Sequence, residues 1–252
     1  MKRRICIGIL LSAVLASFAV AEGLEAIVAK NLEARGGLDK IRSVDSVRLS
    51  GTMTMGGQME APFTWQWKRP DKLRLEFKFQ GMTGIQAFDG ETGWRVMPFG
   101  GQTDPEEVSE DERKLFEEQA DFDGPLIDSE KKGYTVEYLG AEEVEGTEAH
   151  KLKLTKGDNV TYLYLDAEYF LEIKSEAKRT VRGQEVEIET AVGDYKDVEG
   201  LLIAHSIESK PKGASQGQTI TFEKIELNVE LDDSQFVMPE VEEAEAEPES
   251  EE

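Results

Sequence analysis

The residues of this 252-residue chain that could do covalent or metal chemistry are two histidines, one cysteine and a large excess of carboxylates. Their spacing supplies no catalytic pattern. Cys6 lies in the apolar N-terminal stretch, which is expected to be cleaved, so no thiol nucleophile is expected in the working protein. His150 aligns with Leu152 and Leu154, and His205 with Ile203 and Ile207. Each is therefore expected on the core side of a strand, and two histidines without motif spacing do not make a metal site. Paired acids could hydrolyse glycosides if one were buried with a raised pKa, but Glu185, Glu187 and Glu189 alternate with Val186 and Ile188 and so belong to a solvated face. No glycine-rich loop joins a strand to a helix to cradle phosphate. The expectation is a protein that is not an enzyme and carries no cofactor and no metal.

What remains is binding chemistry, concentrated between Met53 and Met97. This run holds all three tryptophans and five of the seven methionines. Met53 and Met55, then Phe63, Trp65 and Trp67, then Leu73, Leu75, Phe77 and Phe79 recur at every second position, with Lys, Arg, Glu and Gln at many of the positions between. Trp94 and Val96 resume the alternation. This is the pattern of adjacent strands wetted on one side. Two readings of the apolar face stay open on these residues alone. It is either a core covered by local helices, as is usual for an antiparallel sheet, or the wall of a cavity. The cavity reading rests on the crowding of wide side chains and on methionine, which adapts to variable apolar ligands.

Compartment and charge narrow the ligand. Lys2, Arg3 and Arg4, an apolar stretch from Ile5 to Leu15 and Ala19-Val20-Ala21 form a secretory signal pattern over residues 1–21, too short to span a membrane. The expected product is exported, periplasmic and soluble. The formal charge of −23 becomes −26 once the three signal-peptide cations are removed. Such a surface repels nucleic acid, which is not an expected partner. Residues 240–252, mostly glutamate, alanine, proline and serine, cannot bury enough apolar surface to fold and read as a disordered acidic tail.

Residues 22–239 read as one domain, mainly β with an α+β element content. Leu24, Ile27, Val28 and Leu32 predict a helix that stops at Gly36-Gly37. Pro70 and Asp71 within Lys68 to Lys72 predict a hairpin turn, and Asp89-Gly90 another. From Asp104 to Phe122 a helical excursion is expected, with Asp104 as N-cap, Pro105 at the first helical position, and Val108, Leu115, Phe116 and Ala120 as its stripe. Further strands are expected at Tyr134–Leu139, His150–Thr155, Val160–Leu165, Phe170–Ala177, Glu185–Val192, Leu201–Ser209 and Thr219–Leu231. In the last, Ile220 and Phe222 keep even phase but Ile225, Leu227, Val229 and Leu231 odd phase, which predicts a bulge at Glu223 and Lys224. About a dozen strands predict one large curved antiparallel sheet or open barrel.

Several segments, taken in order, resemble the LolA-like superfamily of periplasmic carriers and sorting factors for outer-membrane lipoproteins. They are Lys68-Arg69-Pro70 after an aromatic strand, Phe88-Asp89-Gly90-Glu91-Thr92-Gly93-Trp94 ahead of Pro98, and Asp233-Ser234-Gln235-Phe236-Val237-Met238-Pro239. Through Ala34-Arg35-Gly36-Gly37-Leu38, followed by Ile41, Val44, Val47 and Gly51-Thr52-Met53, the chain looks still closer to a longer branch described as outer-membrane lipoprotein-sorting proteins. The resemblance implies an incomplete barrel with a helical lid over an apolar cavity that shelters acyl chains. Met53, Met55, Phe63, Trp65, Trp67, Leu73, Leu75, Phe77, Phe79 and Trp94 would line that cavity. Leu115 and Phe116 would belong to the lid, and Arg69 would act as its gate; the plain reading of Arg69 is a solvated turn charge. Partners would be an acylated lipoprotein or lipid, with membrane donor and acceptor proteins. The chain departs from this pattern in being longer, strongly acidic and tailed. A lipid-sensing regulatory or interaction module on the same fold is the alternative, and an acid-using hydrolase a third.

Overall fold

The computed structural model describes residues 23–181 and 184–240. The expected signal segment and, apart from Glu240, the acidic tail lie outside the described residues.

The chain begins with helix α1 (residues 23–34), which ends where Gly36 and Gly37 take positive φ values and Gly37 N–H bonds the Leu32 carbonyl at 2.8 Å. A Cβ on Gly36 would stand 2.3 Å from the Gly200 carbonyl oxygen, so this stop also sets how closely the helix end approaches the sheet. A short helix α2 (Leu38–Arg42) follows. Strands β1 (Ser46–Met55), β2 (Met59–Lys68), β3 (Lys72–Phe79), β4 (Met82–Phe88), β5 (Gly93–Met97) and β6 (Gln102–Glu107) make the first wing. Helix α3 (Glu110–Ala120) leads to the second, composed of β7 (Thr135–Val144), β8 (Thr147–Lys156), β9 (Asn159–Asp166), β10 (Glu172–Val181), β11 (Gln184–Val198), β12 (Leu201–Pro211) and β13 (Gln218–Leu227).

These strands form one 13-stranded antiparallel sheet in the order β6-β5-β4-β3-β2-β1-β13-β12-β11-β10-β9-β8-β7. The first and last strands pair at its centre, and its edges, β6 and β7, are not joined to each other, so the barrel is incomplete. The two edges are consecutive in sequence. The chain must therefore cross from one edge of the curved sheet to the other, and α3 with residues 121–134 makes that crossing over the concave face. Phe116, Ala120 and Ile127 from this crossing are buried in one core with Val47, Leu49, Phe63, Leu73 and Phe222 from the sheet. Helix α1 covers the other wing, with Ile27 packed on Leu152, Leu154, Leu163 and Leu165.

The phase slip in β13 is a bulge. Ser50 pairs with Lys224 and Gly51 with Phe222, leaving Glu223 as the extra residue. It keeps Ile220 and Phe222 on the same concave face as Ile225 and Leu227 despite their opposite parity. Gly51 is required opposite it, because a Cβ there would lie 1.9 Å from the Thr221 carbonyl oxygen.

The expected helix start is corrected. Asp104 and Pro105 lie in β6, an edge strand, where a missing N–H can face away from the ladder. The helix is instead opened by Ser109, which with Glu112 forms a reciprocal capping box.

A cavity under the edge-to-edge crossing

Between α1, the end of α3 and the centre of the sheet lies a cavity of about 500 Å³. Its walls are mostly apolar: Val47 and Leu49 of β1, Trp65 and Trp67 of β2, Leu163 and Leu165 of β9, Ile207 of β12, and Phe222 and Leu227 of β13. Trp65 and Trp67 stack at 4.5 Å between ring centroids. Trp67 Nε1 donates to the Gln119 carbonyl at 2.8 Å, which ties the sheet to the end of α3. Trp65 Nε1 is buried without a partner.

The segment that follows α3 is clamped over this cavity by three cations. Arg69 Nη1 and Nη2 donate to the Asp123 carboxylate at 2.9 and 2.6 Å, a two-pronged pair. Its Nε and Nη2 also donate to the carbonyls of Val44 and Ile41, and the guanidinium lies 4.4 Å over the Phe122 ring. Arg35 donates from both Nη atoms to the Asp123 main-chain carbonyl. Lys132 Nζ bonds Asp121 and the Gly124 carbonyl. Burial pushes the Asp123 carboxyl up, but the hydrogen bonds and charge of Arg69, with Lys132 and Arg35 beyond, outweigh it and hold that carboxyl below the usual carboxylate range. Asp123 in turn raises the Arg69 guanidinium through their hydrogen bonds, against the effect of its burial.

The expected wall residues do not all meet at the cavity. Trp65 and Trp67 line the cavity. Met53, Phe63 and Leu73 are buried on the same concave face, with Met55, Leu75 and Phe77 half-buried against them, in the core that borders it. Phe77 and Phe79 lie toward the far end of the sheet, each packed on Phe99 at 5.5 and 5.9 Å. Trp94 is separated from the set. It is on the convex face, where its Nε1 donates to the Phe236 carbonyl at 2.7 Å and Arg74 lies over its ring. The reason is register: the turn at residues 89–92 pairs Phe88 with Gly93, so Trp94 pairs with Ala87 and shares the face of Arg74, while Gly93 looks inward at Val108 and Phe116. In α3, Phe116 is buried and Leu115 half-buried.

Among the cavity residues that escaped the sequence reading are four polar ones: Asn31 of α1, Arg35 just beyond its end, Glu172 of β10 and Tyr195 of β11. Their signal was a polar interruption of an apolar stripe, since Ile27, Asn31 and Arg35 follow at one-turn spacing. The two histidines are placed apart from the cavity lining. His205 is buried beside the Ile203 carbonyl, and His150 stacks on Phe170 and bonds the Tyr138 hydroxyl.

No family model and no curated protein matches this sequence. Solved structures do. A DUF1329 family protein from Desulfovibrio piger is 11% identical with a TM-score of 0.58, over 84% of this chain and 96% of that one. A LolA superfamily protein from Nitrosomonas europaea is 16% identical with a TM-score of 0.56, over 82% and 96%. A domain from Vibrio parahaemolyticus, described as an outer membrane lipoprotein-sorting protein, is 13% identical with a TM-score of 0.54, over 83% and 97%. At these identities the likeness is one of fold: the chain has the fold of LolA superfamily and lipoprotein-sorting proteins.

Proposed function

We propose that this chain is an exported carrier that shelters the acyl chains of a lipid or lipoprotein in the cavity between α1, α3 and the sheet, for sorting to the outer membrane. The observation that carries the reading is the hollow itself: a mostly apolar space of about 500 Å³, within the range of small-molecule sites, beneath a segment that Arg69, Arg35 and Lys132 tie down by polar contacts. The fold shared with a lipoprotein-sorting domain and the signal-like residues 1–21 support the same reading.

The physical need is clear. Each acyl methylene contributes about 0.8 kcal/mol to membrane attachment, so a chain crossing water requires an alternative apolar surface. The cavity is of a size to take one chain. Arg69 and Asp123 hold the crossing segment closed, and release follows a shift of population toward the open state in the presence of membrane donor and acceptor proteins. The chain acts here as a binding protein, with its ionisable groups fixing structure and recognising cargo rather than catalysing a reaction.

Native mass spectrometry of the protein purified from an exporting host tests this. Co-purified acylated species are the expected result, and a chain that stays at its apo mass after incubation with lipid vesicles and acylated peptide contradicts the proposal.

A further inference from the structure

The cavity is not apolar throughout. At one pole stand Asn31, Arg35, Glu172 and Tyr195. Arg35 has five N–H donors. Its bonds go to a single acceptor, the Asp123 main-chain carbonyl, at 3.2 Å from each Nη, and it makes no ion pair among the described residues. A guanidinium beside an apolar wall is costly unless it finds an anion. Burial lowers its pKa, opposed by Tyr195, Glu172 and Asp123, yet arginine stays charged. Glu172 lines the same pole but forms no ion pair with Arg35 among the described residues; burial pushes its carboxyl up, with Ser175 and Arg35 only partly offsetting this. The Tyr195 hydroxyl is committed to the Glu172 main-chain carbonyl at 2.8 Å. Asn31 Nδ2 donates to the Phe170 carbonyl at 2.7 Å, which fixes the orientation of the amide and leaves Oδ1 buried with no partner. The pole thus has unspent donors carrying a positive charge, and an unspent acceptor beside them.

We propose that this pole is a headgroup subsite that selects acyl chains ending in an oxyanion. Arg35 receives the oxyanion, and Asn31 Oδ1 accepts from an O–H or N–H next to it. The inference rests on the carrier reading and adds selectivity to it: the walls hold the chain, and the pole chooses its end. A carboxylate and a phosphate monoester present the same chemistry, so both belong in the test.

The test is titration of the signal-free protein with palmitate, hexadecyl phosphate and hexadecanol, followed through tryptophan fluorescence. A charge-assisted contact makes at least one anion about tenfold tighter than the alcohol. The better of the two anions identifies the headgroup. In Arg35→Gln the anion-to-alcohol ratio falls to near unity. Glu172→Gln, which removes a competing carboxyl without removing the cation, keeps or raises it, and serves as the informative variant if Arg35→Gln loses its fold by circular dichroism. Equal binding of alcohol and anions, an unchanged ratio in folded Arg35→Gln, or a lower ratio in Glu172→Gln overturns the subsite while leaving the carrier reading intact. Failure of all three ligands to bind overturns both.

Discussion

Arg69 and Asp123, 54 residues apart, meet through both prongs of the guanidinium, with Nη2 2.6 Å from Oδ1 and Nη1 2.9 Å from Oδ2. One partner directly follows the aromatic strand that walls the cavity, and the other lies in the segment crossing above it. The pair therefore joins wall to cover at the place where the cover begins to leave α3.

Breaking that pair should loosen the cover before it unfolds the sheet. Both side chains are largely shielded, with 25% and 14% exposure. Asp123→Asn is expected to cost about 2 kcal/mol, in the range for hydrogen bonds to charged groups. Hydrogen exchange should accelerate in residues 121–126 and stay unchanged in β1 and β13. Arg69→Lys, which keeps the charge but loses the fork, should fall between.

The same pair makes closure acid-sensitive. The folded Asp123 carboxyl lies below its unfolded value, so the stability it contributes is fully present above the unfolded pKa of about 3.9. That contribution is lost as pH falls through the lower, folded pKa. Exchange in residues 121–126 should therefore rise below about pH 4 in the native protein. In Asp123→Asn this acid step should be missing, and a step of equal size there would assign it to another group.

The bulge in β13 should tolerate no side chain at its partner. Gly51→Ala places a methyl 1.9 Å from the Thr221 carbonyl oxygen. A loss of about 3 kcal/mol in urea unfolding is expected from the forced backbone shift. A near-neutral result would mean that the sheet centre can re-register.

Capping separates the two accounts of where α3 begins. Ser109→Ala should cost about 1 kcal/mol, the usual value for an N-cap. Thermal melts of the variant measure the loss, and a near-neutral result would place the helix start elsewhere.

These features differ in how far they could be read from residues. The bulge was legible because a phase change from Phe222 to Ile225 can only be reconciled with one buried face by an extra residue. The strands and the shared face of Trp65 and Trp67 were legible through period-two alternation, which left open whether that face is packed core or cavity wall. Trp94 was not, because alternation fixes which residues share a face but the turn at 89–92 fixes which face that is. Asp104 and Pro105 mimic a helix start, and only their pairing at a sheet edge decides otherwise. Asn31 and Arg35 were hidden for a different reason: a polar residue on a helix stripe acquires its meaning from a partner 139 residues away, the Phe170 carbonyl.

Filling the cavity should abolish binding without undoing the fold. Ile207→Trp adds an indole into empty space, where the strain of overpacking a tight core, about 1–3 kcal/mol, is largely avoided. The melting temperature should shift little while acylated species no longer co-purify. Loss of folding would show that the space is already filled.

The most direct measurement places an acyl chain against the wall. A brominated fatty acid quenches tryptophan only at close range, and the protein carries its tryptophans on opposite faces of the sheet. The account predicts quenching that persists in Trp94→Phe and disappears in the Trp65→Phe/Trp67→Phe double variant. Quenching that survives in the double variant, or that depends on Trp94, would put the chain outside the cavity and contradict the account.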